Sequence, residues 1–401
     1  MTTTATATTL LLDQIREDLV THPGEVDVQR VARILRDMGH VAGARELLEL
    51  TAEVRDHVHG LGPLQDLVAP GVTDILVNAD GSVWVDDEAG LHATSRRIGA
   101  AEARALAVRL ATAGGRRLDD ASPTADAHVP DGVRLHAALP ALTGGGTVLS
   151  LRLPSRRLHT LTSLADSGML DTVGVTLLQL IVRSRLAFVV TGGTGTGKTT
   201  LLNALLGAVD PRERVIVVED ARELEPGHPH VVHLQARHAN TEGAGAVDLT
   251  QLVRQCLRMR PDRIVVGECR GAEVRELLQA LNTGHEGGCG TLHANTASDV
   301  PARLEALGAL GGLDRMALAS QAASALDVIL HLDRRDGIRR LDHIALLDRT
   351  GDGALQARTA VRCAPHGAGV GRAVAGPAWD RLRERLGLSA GTARRLLEGS
   401  R

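Results

Sequence analysis

Eight consecutive residues carry the clearest chemistry in this 401-residue chain. Gly192-Gly193-Thr194-Gly195-Thr196-Gly197-Lys198-Thr199 fits G-x-x-x-x-G-K-[ST] without a mismatch. The run sits between an apolar stretch, Ala187 to Val190, and a helical one, Leu201 to Leu206. Glycines let backbone N–H groups curl around phosphate oxygens, and a helix N-terminus adds its positive dipole end. Lys198 reaches the β- and γ-phosphates as a compact point charge, a slot too narrow for a planar guanidinium. The Thr199 hydroxyl suits Mg²⁺, and Thr200 completes the predicted nucleotide-binding set. A dinucleotide fingerprint starting at Gly193 would need glycine where Lys198 stands, so that fold is disfavoured.

Acids and histidines follow at intervals suited to the same chemistry. Val215 to Val218 is an apolar strand that ends in Glu219-Asp220, with Glu223 just beyond. Carboxylates at the C-terminal edge of a parallel sheet sit where ligands bind. Glu219 therefore reads either as a residue that orients the attacking water or as a capping group. Arg263-Ile264-Val265-Val266-Gly267 is a second such strand, and Glu268 at its end is the expected companion for Mg²⁺ and water. A third segment runs from Asn282-Thr283-Gly284-His285 to Thr291-Leu292-His293-Ala294-Asn295. His285-Glu286 opens like H-E-x-x-H, but Cys289 occupies the second histidine position, so a zinc-protease reading fails. His285, Cys289 and His293 form a weak metal set; His293 reads instead as a γ-phosphate hydrogen-bond donor or a structural histidine. Arginines that neutralise a phosphoryl transition state are drawn from Arg134, Arg152, Arg237, Arg258, Arg260, Arg263, Arg270 and Arg303.

Composition narrows the rest. Of 45 basic residues only Lys198 is lysine, so it stands where arginine would not serve. Aromatic residues are Trp84, Phe188 and Trp379, too few for a base-stacking platform. Net charge is −3, which gives no whole-chain nucleic-acid footprint, and no sequence-specific nucleic-acid binding is expected. Residues 1–60 carry about −4 and residues 337–401 about +6, a basic tail that suits a solvated helix or an anionic surface. The cysteines Cys256, Cys269, Cys289 and Cys363 form no C-x-x-C pair. No apolar run reaches transmembrane length and the N-terminus lacks a signal-peptide pattern, so a cytoplasmic protein is expected.

These residues need elements to place them. Residues 1–60 read as helical, with Val28, Val31, Ile34, Leu35 and Met38 on one face. Residues 61–153 read as an α+β module: a hairpin through Asn78-Ala79-Asp80-Gly81, a helix over 100–113, and strands over 133–139 and 148–153. Residues 154–185 read as a linker and helix, residues 186–350 as an α/β unit with a parallel sheet, and residues 351–401 as a basic tail in which Trp379 to Leu397 suits one or two closing helices.

With those motifs in order, the chain resembles the secretion ATPases of type II and type IV systems, in particular the tight-adherence (Tad) pilus branch. The resemblance spans about residues 60–350. It adds Leu61-Gly62-Pro63-Leu64, Val72 to Asn78, and Asp126 with Pro130-Asp131-Gly132-Val133-Arg134 to the boxes above. It also includes Val218 to Leu224 and Leu257-Arg258-Met259-Arg260-Pro261-Asp262-Arg263. It implies a RecA-like P-loop ATPase domain preceded by a smaller α+β N-terminal domain, with ATP and Mg²⁺ bound and the subunits in a homohexamer. It implies Glu219 as water-orienting base, Glu268 on the Mg²⁺ side, His293 near the γ-phosphate, and Arg134, Arg152 and Arg258 as phosphate contacts. The implied partners are inner-membrane Tad or secretion platform proteins, with the ring peripheral to the cytoplasmic face of the membrane. The implied work is assembly or secretion of a pilus-like fibre; the alternative is DNA translocation in conjugal transfer. The sequence departs from the family pattern at His128, where arginine is usual, and at His136, where asparagine is common.

Overall fold

The computed structural model describes residues 27–40, 42–58, 60–87, 89–129, 132–154, 159–237, 244–335, 337–363 and 373–398, with Gln14 and Asp18. The chain divides into two compact units, Met1–Ser155 and Arg156–Arg401. The expected helical segment is present as Val28–Asp37 and Ala44–Val58; Asp27 caps the first, accepting the Arg30 amide at 2.8 Å. Most of the earlier residues lie outside the described ones.

The first unit is built on a six-stranded antiparallel sheet. Its strands are β1 Asp74–Val77, β2 Ser82–Asp87, β3 Gly90–Arg97, β4 Thr124–His128, β5 Arg134–Ala138 and β6 Val148–Arg152. Their order is β3-β2-β1-β6-β5-β4. Alternation puts Ile75, Val77, Leu135, Ala137, Leu149 and Leu151 on one face, where helix α1, Ala100–Ala113, covers them with Leu106 and Leu110. Each such leucine contributes about 1.5–3 kcal/mol of burial. The turn between β1 and β2 needs Gly81: its φ is +81°, and a β-carbon there would lie 2.4 Å from the Ile98 carbonyl oxygen.

The second unit carries a nine-stranded sheet. Its strands are β7 Phe188–Gly192, β8 Val215–Glu219, β9 Val231–Gln235, β10 Arg263–Cys269, β11 Cys289–His293, β12 Val328–Arg335, β13 Ile338–Arg349, β14 Leu355–Arg362 and β15 Val374–Ala375. The order is β15-β14-β13-β12-β7-β11-β10-β8-β9. From β12 to β9 neighbours run parallel; from β12 to β15 they run antiparallel. Apart from the edge strand β9, which is half-buried, the parallel strands are buried on both faces, which is why they read as apolar runs. Phe188 and Val190 pack on one face with Leu177, Leu201 and Leu205; Ala187 and Val189 pack on the other with Val253, Leu277 and Leu304.

Two expected boundaries look different in the fold. The segment 154–185 holds two helices, Leu161–Asp166 and Thr172–Arg183, and both pack into the core of the second unit. The boundary at residue 350 falls in the turn between β13 and β14, so the sheet continues to residue 375. Beyond it, Trp379, Leu382 and Leu386 join the same core as Val190. Of the one or two closing helices expected over Trp379 to Leu397 there are two, Trp379–Arg385 and Ala390–Glu398, and they are packed on the second unit rather than solvated, because their apolar face carries Trp379, Leu382, Leu386 and Ala393. Among the described residues, no helix is long and apolar enough to cross a membrane.

Candidate functional site

Strand β7 is buried along its whole length and ends at Gly192. The helix α2, Lys198–Gly207, starts six residues later with Gly197 as N-cap. Between them the chain turns through positive φ at Gly192 (+150°), Gly195 (+74°) and Gly197 (+93°). A β-carbon at Gly192 would lie 2.6 Å from both the Leu332 carbonyl oxygen and Thr196 Oγ1. The loop is thus both bent and crowded, and only glycine permits it. Thr196 Oγ1 closes it by donating to the Gly193 carbonyl at 2.9 Å.

Lys198 is 8% exposed and its Nζ donates to the carbonyls of Gly192 (3.1 Å) and Gly193 (2.9 Å). The same Nζ lies 3.4 Å from His293 Nε2. Burial draws the Lys198 pKa below its usual value, and the Glu268 carboxylate draws it partly back. His293 stands at the end of β11, paired in register with Gly192 of β7. Its Nε2 is 2.8 Å from Glu268 Oε1. That oxygen is buried without an aligned hydrogen-bond donor, so the contact is close but not a formed bond. Burial first, then Lys198, hold the His293 pKa below 6.5. Its imidazole is therefore neutral at pH 7.

Glu268 reaches this position through an irregularity in β10. The register with β11 shifts between Val266 and Cys269. Thr291 Oγ1 holds the Gly267 carbonyl at 2.6 Å inside the shift. A bulge of this kind re-aims a side chain. Arg270 binds the other Glu268 oxygen at 2.5 Å, which places it in the site; among the arginines proposed from sequence, it is the one seen bonded to a site acid.

Glu219 ends β8 and is 5% exposed. Its Oε1 accepts the amides of Glu223 (3.1 Å) and Leu224 (3.0 Å), so it caps the following turn. Gly267 makes room for it: a β-carbon there would lie 2.5 Å from Glu219 Cγ. That turn carries Glu223 to within 3.5 Å of the Thr199 hydroxyl. In the sequence Glu223 stands only as a neighbour of Glu219; its approach to Thr199 depends on the turn geometry.

Below the loop, Thr191 Oγ1 lies 2.9 Å from His331 Nδ1. His331 is 4% exposed on β12, and its ring also hydrogen-bonds the Asn295 backbone. One buried imidazole thus joins the strand before the phosphate loop to the segment after His293. Nothing in the local sequence around His331 signals this, since the contact spans 140 residues.

A match to the family described as Type II/IV secretion system protein covers residues 57–374, most of the chain. The chain belongs to that family. It is 55% identical over 326 residues to a putative conjugal transfer protein of Mycobacterium tuberculosis, covering 79% of this chain and 92% of the relative. It is 34% identical over 316 residues to the type IV secretion system protein PtlH of Bordetella pertussis, covering 71% and 92%. The fold resembles the solved pilus retraction motor PilT with bound ADP, with a TM-score of 0.53, 22% identity, and 73% and 84% coverage. The architecture is that of the RecA-like P-loop domain of secretion ATPases, preceded by the smaller α+β domain.

In this secretion-family chain the remaining proposed residues divide by place. Arg263 is 1% exposed and bound by Glu213 at 2.7 Å and the Val182 carbonyl at 2.8 Å. It begins β10, whereas Glu268 nears its end, so Arg263 is a structural residue at the edge away from the phosphate loop. Arg258 lies before β10 on the same far side and donates to Gln255. Arg303 is close enough to His293 to lower its pKa.

Arg134 and Arg152 of the first unit are direct cross-strand partners on β5 and β6. Asp74 pairs with Arg152 at 3.3 Å, and His128, which stands where arginine is usual, faces Arg134. His136 Nδ1 binds Asp126 at 2.7 Å. The set His285, Cys289 and His293 is not assembled: Cys289 is buried at the start of β11, and His285 Nδ1 bonds the Ala280 carbonyl at 3.1 Å. Among the described residues no group of three or more His, Cys, Asp or Glu could hold a metal ion.

Proposed function

We propose that the chain is the ATP-hydrolysing motor of a Tad or type IV pilus-like assembly or secretion system. It works as a hexamer at the cytoplasmic face of the membrane, against inner-membrane platform proteins. The observation that carries the reading is the line Lys198–His293–Glu268 set on a complete phosphate loop. The loop binds the nucleotide polyphosphate through backbone N–H groups and the Lys198 ammonium. Neutral His293 donates to the terminal phosphate and turns that donor to Glu268 when the phosphate leaves. Glu219 orients the attacking water; Arg134 and Arg152 supply further positive charge.

The donor set fits Mg²⁺. The buried, unaligned Glu268 Oε1 and the Thr199 hydroxyl are hard oxygen donors, as this ion requires. Glu268 and Thr199 would hold it, and it would neutralise charge on the β- and γ-phosphate oxygens. The test is Mg²⁺-dependent phosphate release by the purified chain, with its assembly state measured in the presence of ATP. A protein that binds ATP without turnover in any assembly state overturns the motor reading.

A second reading is favoured by the M. tuberculosis relative named as a conjugal transfer protein. It makes the cargo DNA. Turnover stimulated by DNA and falling steeply with salt supports it. Unchanged turnover leaves protein work as the function.

A further inference from the structure

The phosphate loop has two flanks. Strand order puts β11, β10 and β8 on one side of β7, and these carry His293, Glu268 and Glu219 at or near their C-terminal ends. On the other side lies β12, which runs parallel to β7 and then continues past it. Beyond His331, β12 and β13 extend as a hairpin in which Arg334 pairs directly with Arg339.

Contacts with three loop glycines show that this hairpin lies against the phosphate loop. A β-carbon at Gly192 would meet the Leu332 carbonyl oxygen at 2.6 Å. One at Gly195 would lie 3.8 Å from Arg334 Nη1. One at Gly197 would lie 3.3 Å from Arg339 Cδ and 3.1 Å from Met169 Cε. Both arginines are exposed. The nearby acid Asp333 is bound by Arg335 at 2.5 Å. Among the described residues neither Arg334 nor Arg339 has a carboxylate within ion-pair distance. Arg334 Nε has only the Gly337 carbonyl, at 3.3 Å.

Like charges directly opposite one another on adjacent strands destabilise a sheet. Two such guanidinium groups beside a phosphate loop are stabilised by an anion lying between or against them. The acids and His293 lie on the γ-phosphate flank, so the polyphosphate leaves the loop toward the opposite flank with its inner phosphates.

We propose that Arg334 and Arg339 form the second wall of the nucleotide site and bind the α- and β-phosphates of a nucleoside di- or triphosphate. This rests on the reading of the loop as an ATP site. The interaction is charge-assisted hydrogen bonding from planar guanidinium groups. It gives ADP nearly the same affinity as ATP through this wall, because the γ-phosphate is handled on the other flank.

The test is calorimetric titration of the full chain with ATP and, separately, with ADP. Arg334→Ala and Arg339→Ala each weaken both nucleotides by roughly tenfold, and the double variant weakens them further. Arg335→Ala, whose partners are Asp333 and Asp342, leaves both affinities unchanged. Arg334→Gln and Arg339→Gln repeat the measurement with polar side chains, and the thermal midpoint of each variant reports its fold. If the wild type binds both nucleotides and the variants bind equally well, the inference is overturned while the ATP reading stands. If ATP weakens but ADP does not, the arginines act at the γ-phosphate and the assignment is wrong. If the wild type binds neither nucleotide, or Lys198→Ala binds as the wild type does, the ATP reading itself falls.

Discussion

Lys198 and His293 meet across the heads of two adjacent parallel strands, with Nζ 3.4 Å from Nε2. The pair joins the phosphate loop to the end of β11. The ammonium is held by two loop carbonyls, and the imidazole is kept neutral by burial and by that same positive charge. The ammonium therefore helps to set the electrostatic state of the imidazole.

Replacing Lys198 with alanine is expected to abolish ATP hydrolysis. Lys198→Arg is expected to cost ~10²-fold or more in turnover, the scale of a lost electrostatic contact in a buried site. The fork of a guanidinium does not fit a slot in which one ammonium donates to two carbonyls. Phosphate release at saturating ATP checks this, and near-normal turnover in the arginine variant would sink the account of the single lysine.

The two acids separate by substitution. Glu219→Gln is expected to bind ATP and hold it unhydrolysed, whereas Glu268→Gln is expected to weaken the metal dependence. The weakened metal site of Glu268→Gln shows as a higher Mg²⁺ concentration needed for turnover; Glu219 accepts two backbone amides, so its variant should be checked for folding by its unfolding midpoint. Metal titrations of turnover distinguish the outcomes; the reverse pattern means that the roles are exchanged.

Gly267→Ala is expected to reduce both stability and turnover. Its new methyl would meet Glu219 Cγ at 2.5 Å, and neither the capped carboxylate nor the bulge can yield freely. Overpacking of this kind costs about 1–3 kcal/mol. Denaturant unfolding of the variant measures it, and an unchanged midpoint contradicts the packing described.

Thr191→Val removes the hydroxyl facing His331 with almost no change in volume and should cost about 1–3 kcal/mol, because a buried ring nitrogen loses its partner. Thr191→Ser keeps the bond and should recover most of that loss. Equal stability of the two variants would show that the hydrogen bond is not what matters.

Acid should weaken the fold through His331. Burial holds its native pKa below the ordinary 6.5, so the unfolded chain takes up the proton first. Stability is then fully present above 6.5 and falls as the pH drops toward the native value. His331→Gln should flatten the slope of unfolding free energy against pH below 6.5. A slope identical to the wild type assigns the effect to other groups, among them His233 and His293, whose pKa values burial also lowers.

Much of the nucleotide flank was legible because its signals are local. The loop from Gly192 to Thr199 is contiguous, and the strands before Glu219 and Glu268 read as apolar runs because both faces are buried. The helix over 100–113 and the hairpin through Gly81 were similarly visible from periodicity and turn chemistry. What escaped was non-local. Arg263 stands beside the acidic strand in sequence, but its burial against Glu213 removes it from the site. Arg334 and Arg339 carry no motif, and only the parallel pairing of β12 with β7 brings them to the loop. Closing helices after residue 378 are legible in the sequence but their seat in the core is not, because arginines are interleaved with the apolar residues that make it.

Those last helices bear on how the protein is made. Asp327 accepts the Ala187 amide at 2.9 Å just before the phosphate-loop strand, and it also binds Arg385. Leu382 and Leu386 fill the core beside Val190. The central strand of the nucleotide-binding sheet is therefore completed by some of the later residues to leave the ribosome. The first unit has all six strands before residue 153 and can fold while the second is still being synthesised. During translation the apolar face around Val190 therefore stays uncovered until residues 379–398 have been made.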